Sequence, residues 1–359
     1  MKSKMGILPD LTKNGRSKRI KPSACGRFLL QNYTRKGAFA QAKATVIFMK
    51  IGVTSAEPIA VLGLEAGFQA IKNAGFDVTD FSMGCYFPFN YNGVELDDET
   101  IAHFNDEKKF FAYIGRVKEA AEKCGLGIGQ CHAPAPSYFP RNTKNTEIMR
   151  EAIRKSIRGC AKLGCKHIVV HPSFDGSARF PSLTKKEEYQ ENIAFYSSLI
   201  PLLKETGVIC CLENMWIQDW KSKRAYIGIC SDMNETCRYI DELNAIAGEK
   251  CFAFCLDIGH LLMLGLDPYN AMETLGHRLE LLHIHDNDGL HDDHTAPYLG
   301  ICNWERFIKG IRKIGYRGNI NFETDSFPGF FPKELVPDAL KLLGATANYF
   351  RKRIEAPET

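Results

Sequence analysis

Residues 149–171 read MREAIRKSIRGCAKLGCKHIVVH. Ile153, Ile157 and Cys160 recur on one face, so 149–163 has the pattern of an amphipathic helix. Gly164 then offers the left-handed stop at which helices commonly end. After a short turn comes a β-rich run, 167–171, that closes on His171. Helix, glycine, short turn and strand make half of a repeating unit.

The same reading extends in both directions. Strands are expected at 50–54, 77–82, 127–132, 167–171, 208–213, 252–257, 279–285 and 319–323, with helical stretches between them. Gly75, Gly125, Gly164, Gly207, Gly248, Gly276 and Gly315 stand between each helix and the next strand. Eight such units predict an α/β chain, a (β/α)8 TIM barrel in one domain over 49–350. An open doubly wound sheet usually has fewer strands. Helix-to-strand connections are short (73–76, 123–126, 163–166), whereas strand-to-helix connections are long and polar (83–92, 173–184, 214–231). Barrels build their active sites on the second kind.

Charge separates the N-terminal stretch from this body. Residues 1–48 hold eleven Lys/Arg and one acid, a balance of +10, whereas 49–359 hold 35 basic and 41 acidic residues, or −6. The reading for 1–48 is a basic, disordered leader or a targeting peptide, dispensable for folding, and for 351–359 a tail. A mildly acidic body does not suit nucleic acid, and no apolar run is long enough for a membrane span. The thirteen cysteines show no C-x-x-C pair, which fits reduced, buried thiols and a cytoplasmic location better than a disulfide framework. No G-x-G-x-x-G or P-loop pattern points to a nucleotide.

The last residues of strands three to eight are His132, His171, Glu213, Asp257, His285 and Glu323. Carboxylates and imidazoles are costly to bury unless something compensates them, and a divalent cation compensates several at once. Glu213, Asp257, His285 and Glu323 are the expected metal ligands. His132, His171 and His260 are further ligands or substrate contacts. With no thiolate expected on this layer, manganese, cobalt, magnesium or zinc would suit it. Gln130, His283 and Asn321 lie two residues earlier and so share the inward side; they could orient the ligands, or bond to one another or to water. Tyr86, Phe87, Phe89 and Tyr91 follow strand two, and Trp216 and Trp220 follow strand five. Such aromatics suit a sugar face or an oligomer interface. Arg179 and Lys185 could meet a phosphate.

The motifs Cys211-Leu212-Glu213-Asn214, Cys255-Leu256-Asp257-Ile258-Gly259-His260, His283-Ile284-His285-Asp286-Asn287-Asp288 and Asn321-Phe322-Glu323-Thr324 resemble those of the xylose isomerase-like barrel superfamily. That group holds sugar isomerases and epimerases, inosose dehydratases and endonuclease IV. The resemblance covers about 49–350. It implies a metal-dependent isomerase or epimerase of a sugar, sugar phosphate or polyol, with Glu213 and Glu323 as the catalytic pair on opposite faces of the substrate. His260 would touch that substrate. An inosose dehydratase or a C-glycoside-type lyase could use the same residues. His132, His171 and Asp292-Asp293-His294 also resemble endonuclease IV, a phosphoesterase. The chain departs from that enzyme at Leu299-Gly300-Ile301-Cys302-Asn303, where the endonuclease motif carries a glutamate between two glycines.

Overall fold

The computed structural model describes residues 49–87, 96–175, 183–219 and 221–357. The basic leader, Phe89, Tyr91, Arg179 and Trp220 lie outside the described residues. The strands are β1 (Ile51–Thr54), β2 (Val78–Ser82), β3 (Gly127–His132), β4 (His167–Val169), β5 (Ile209–Glu213), β6 (Trp216–Gln218), β7 (Ala225–Ile227), β8 (Phe252–Asp257), β9 (Leu279–His283) and β10 (Ile320–Phe322). Eight of them form one sheet in the order β10-β1-β2-β3-β4-β5-β8-β9, every neighbouring pair parallel. Past the end of β9, Ile284 pairs with Phe322: its N–H donates to the Asn321 carbonyl at 3.0 Å and its carbonyl accepts from Glu323 N–H at 3.1 Å. That bridge nearly closes the sheet into a barrel, with helices between successive strands.

The seven glycine stops all have positive φ, and at Gly125 (φ 68°) and Gly207 (φ 67°) they are left-handed helix caps. A side chain would be strained there, which is why these positions punctuate the repeat so clearly.

The barrel strands match the expected set to within a residue at their starts, but three stop before the expected end. β4 stops at Val169, β9 at His283 and β10 at Phe322, so His171, His285 and Glu323 stand just beyond the ladder. At the rim the strands diverge into loops, and backbone pairing thins before the inward-facing positions end. Within the long strand-to-helix connection 214–231, Trp216–Gln218 and Ala225–Ile227 pair antiparallel rather than running as loop. The last helix runs Val336–Glu355, past the expected boundary at 350. Phe350 is fully buried, and Arg351 Nη1 donates to Asp77 Oδ2 at 2.9 Å.

The core has two parts. A large cluster lies between the strands and the helices. A small one consists of Val169, Cys211, Ala253, Cys255 and Leu281. Val169, Cys211, Cys255 and Leu281 stand two positions before His171, Glu213, Asp257 and His283, and Ala253 stands two before Cys255. The same side of each strand therefore carries an apolar plug and, one step higher, the polar layer. The described cysteines are all free thiols. No helix among the described residues is long and apolar enough to cross a membrane.

Candidate active site

Local structure at the rim is set by short-range bonds. Asn214, next to Glu213, clamps β5 to β8: its Nδ2 donates to the Asp257 carbonyl at 2.9 Å and its Oδ1 accepts from Asp257 N–H at 2.8 Å. Asp257 ends β8 and caps the helix Ile258–Met263, accepting from His260 N–H at 2.6 Å. Asp286 is a scaffold residue. Its buried carboxylate accepts from the backbone N–H of Asn287, Tyr298 and Cys302 at 3.1 Å each and from Trp304 Nε1 at 3.0 Å. It thereby folds the loop that carries Asp292 and His294.

Three histidines present the same face to the mouth. His132 Nδ1 lies 2.7 Å from the Ala133 carbonyl, His260 Nδ1 2.7 Å from the Asn214 carbonyl, and His294 Nδ1 3.1 Å from the Glu323 carbonyl. A carbonyl only accepts, so in each ring Nδ1 carries the proton. Nε2, when the ring is neutral, offers its lone pair to the site. These lone pairs meet other acceptors. His132 Nε2 is 3.1 Å from His171 Nε2, and both approach Glu213 Oε2, at 3.5 and 3.0 Å. Neither contact is aligned as a hydrogen bond, and Glu213 Oε2 is left without one. Across the mouth, His260 and His294 Nε2 face Asp292 Oδ2 at 3.3 and 3.4 Å. His285 Nε2 faces both Asp257 oxygens at 3.1 and 3.2 Å. Buried lone pairs converging on one another need protons or a cation between them. The donor set therefore fits a divalent metal with nitrogen and oxygen ligands.

Without metal, protons take this role. Burial opposes charge on His294, but the hydrogen bond to Asp292 and the charge of Glu323 lift its pKa to about 10. Burial opposes charge on His260 too, yet Asp257 and Asp292 raise it well above the ordinary range. Burial would raise Asp257, but the charges of His260 and His285 hold it at about 2. Binding metal through these imidazoles must expel their protons. Adding zinc to metal-free protein in weak buffer near pH 7 is expected to release protons, with affinity rising as pH rises. Uptake of metal with no proton release would remove His260 and His294 from the ligand set.

Beneath the mouth lies a network organised by Asp80, which the sequence reading missed. Its Oδ2 accepts from Gln130 Nε2 at 2.8 Å, His283 Nε2 at 3.1 Å and Asn321 Nδ2 at 3.4 Å. His283 Nδ1 in turn meets Glu213 Oε1 at 2.7 Å and Glu323 Oε2 at 3.0 Å. Asp80 thus fixes the imidazole that spans both glutamates. Asp80→Asn is expected to weaken metal binding by about 10–100-fold, the usual cost of losing such support, at little cost in helix content. Competition with a chelating dye would measure it, and unchanged affinity would sink the assignment.

Other expectations need correcting. Cys255 Sγ comes within 4.8 Å of ligand atoms of Glu213 and His283, so the layer is not free of thiol, though burial holds that thiol neutral. Tyr86 is buried and stacks on His103 at 4.4 Å, so it belongs to packing, whereas Phe87 is buried but lines the cavity. Lys185 pairs with Glu188 at 2.7 Å. Trp216 lines the cavity and donates from Nε1 to Asp292 Oδ2 at 3.3 Å. Asp325, also unforeseen, lines it too; burial and the charge of Glu323 push its carboxyl up to about 6.

The family model described as xylose isomerase-like TIM barrel matches residues 68–346. The uncharacterized protein MJ1311 of Methanocaldococcus jannaschii is 25% identical over 221 residues, which are 59% of this chain and 70% of that protein. Among solved structures, a D-tagatose 3-epimerase-like protein is similar with a TM-score of 0.58 at 21% identity, covering 83% of this chain and 99% of the other. The IolI protein with a bound zinc atom is similar with a TM-score of 0.62 at 14% identity, covering 86% and 100%. Identities this low carry the architecture alone. The family match, over more than half the chain and across every strand from β2 to β10, carries more: this protein belongs to the xylose isomerase-like TIM barrel family.

Proposed function

We propose that this chain is a divalent-metal-dependent isomerase or epimerase of a sugar or polyol, working by proton abstraction beside a carbonyl. One observation carries the reading. Glu213 ends β5 and Glu323 follows β10, three strands apart around the ring; both line one cavity, and both meet the same imidazole, His283 Nδ1. Two carboxylates so placed can reach a substrate from different sides, one taking the α-proton and the other returning it. Burial alone would raise Glu213, but the charge of His283, its hydrogen bond and the close imidazoles of His132 and His171 hold it well below the usual carboxylate range. It therefore stands ionised. Glu323 is the more accessible of the two, with a side-chain exposure of 15% against 1%.

Glu213, Asp257, His285 and Glu323 would hold the metal, which when bound supplies Lewis-acid stabilisation of the ene-diolate charge. Manganese, cobalt, magnesium and zinc remain the candidates; the bound zinc atom of the similar IolI structure supports the last of these. The similar D-tagatose 3-epimerase-like protein supports a sugar substrate. His132, His171, His260 and Trp216 would contact that substrate or add ligands. The test is solvent-deuterium exchange at the α-carbon across ketoses and inososes, with metal content measured in parallel. No retained metal and no exchange on any of them would overturn the proposal.

A phosphoesterase with several ions is the second reading. It is favoured by two additional ligand groups beside the first, His132 with His171 and Glu213, and His260 with Asp292 and His294. Near three equivalents of zinc, with hydrolysis of an abasic-site oligonucleotide and no proton exchange, would establish it instead.

A further inference from the structure

We infer that the substrate carries an ammonium group: the site takes an amino-substituted ketose or inosose, whose cation is held by Asp325. This rests on the sugar-converting reading of the same site and names the substrate class within it. An amino-substituted ketone keeps the carbonyl and the α-proton on which that chemistry depends.

The acids of the cavity are balanced one by one, with an exception. Asp80 Oδ2 meets His283 Nε2 at 3.1 Å, and Glu213 and Glu323 meet His283 Nδ1 at 2.7 and 3.0 Å. Asp292 Oδ2 faces His260 and His294 at 3.3 and 3.4 Å. Asp325 lines the same cavity, but among the described residues it pairs with no imidazole, lysine or arginine. Its Oδ1 is buried without a hydrogen-bond partner. Although it precedes the short helix Ser326–Gly329, its carboxylate caps no backbone N–H there. The cavity residues nearest in the sheet order, Thr54 at the end of β1 with Ser82 and Gly84 at and after the end of β2, are neutral.

A carboxylate drawn away from bulk water is costly unless a donor or a cation compensates it. Among the described residues lining the cavity there is no lysine or arginine, so that positive charge would arrive with the ligand. A phosphate would add negative charge beside Asp325. A hydroxyl could donate to the carboxylate but would leave its charge unbalanced. An ammonium both donates and balances. Asp325 also stands outside the expected ligand set of Glu213, Asp257, His285 and Glu323, so a bound metal leaves it available.

The test uses the full metal-loaded chain with 1-amino-1-deoxy ketoses of fructo, tagato, sorbo and psico configuration and amino-substituted inososes. Each is paired with its hydroxyl and its N-acetyl counterpart, and binding is read by calorimetry. In at least one configuration the amino ketone should bind about tenfold or more tightly than the hydroxyl form, the size of one charge-assisted hydrogen bond. N-acetylation removes the charge and should abolish the preference. An amine could also gain by ligating the metal, so the ratio is measured again in Asp325→Asn and Asp325→Glu, with metal content checked in each. The asparagine should bring the amino-to-hydroxyl ratio toward one, and the glutamate, which keeps the charge, should restore part of it. Equal binding within every pair, tighter binding of the hydroxyl or N-acetyl form, no binding by any amino ketone, or an amine preference undiminished in Asp325→Asn would overturn the inference. Proton exchange on plain ketoses without any amine preference would remove this inference and leave the proposed chemistry standing. An amine preference that depends on Asp325, without metal-dependent exchange on any substrate, would do the reverse.

Discussion

Glu213→Gln and Glu323→Gln are each expected to lower turnover by on the order of 10²–10⁴-fold, the usual contribution of a general acid or base. Glutamine keeps the volume and one ligating oxygen but cannot accept a proton at neutral pH. The two variants should fail differently. Glu213 is buried and packed among His132, His171 and His283, so its amide must donate where imidazoles now approach, and metal loss should accompany the loss of turnover. Glu323 is more accessible and should keep more of its metal. Following α-proton exchange in deuterated solvent separates the roles, because a variant lacking only the second base still exchanges the proton without completing turnover. Full exchange and turnover in both metal-loaded variants would refute the pair and move suspicion to His132, His171 or His260.

Gly259→Ala should be nearly as damaging, although the residue has no side chain to react. A Cβ at that position would lie 1.9 Å from His285 Cε1 and 2.4 Å from both ring nitrogens. The ring cannot simply retreat. It is fully buried, and it stacks on His294 with centroids 4.1 Å apart and planes 8° apart. Asn287 Nδ2 also holds the Gly259 carbonyl at 2.9 Å, so the backbone resists the shift. Overpacking of this kind costs roughly 1–3 kcal/mol of stability. Displacing His285 should also lower metal affinity by at least about tenfold. Combining Gly259→Ala with His285→Ala provides the control. If the clash with the ring is the cause, the alanine at 259 should cost little more once the ring is gone. Equal costs in both backgrounds would show that the damage lies in the backbone.

The architecture was legible because its punctuation is local. Glycine stops and β-rich runs depend on near neighbours along the chain, so Gly164 and the run from His167 can be read without knowing what packs on them. The rim residues were legible for a different reason: acids and imidazoles recur at corresponding positions on successive strands. Asp80 escaped because a single acid inside a strand ordinarily marks a solvent face. Only the closed barrel makes both faces of β2 interior, and only the register shows Asp80 opposite Gln130 and Ser82 opposite His132. Tyr86 failed in the opposite sense. An aromatic in a long loop looks available until the stacking of its ring on His103, from another element, is known. Asp286 reads like its acidic neighbours in the motif, and nothing along the chain announces that its partners are backbone amides and an indole. Asp292 and His294 lie on the loop that Asp286 folds, beyond any strand pattern, and only the family resemblance pointed to them.

The carbonyls that hold His132, His260 and His294 have an evolutionary consequence. A ring oriented by a neighbouring carboxylate depends on a second residue, and its geometry drifts when that residue mutates. A ring oriented by a main-chain oxygen has no such dependence, since every amino acid supplies the same carbonyl. Substitutions at Ala133 or Asn214 would keep these anchoring oxygens wherever the backbone path survives. The imidazoles that line the cavity are thus insulated from sequence change, while the aromatic and proline residues that line it beside them are open to it. Descendants of this barrel could reshape the cavity by altering those residues alone, with the orientation of the three rings inherited intact.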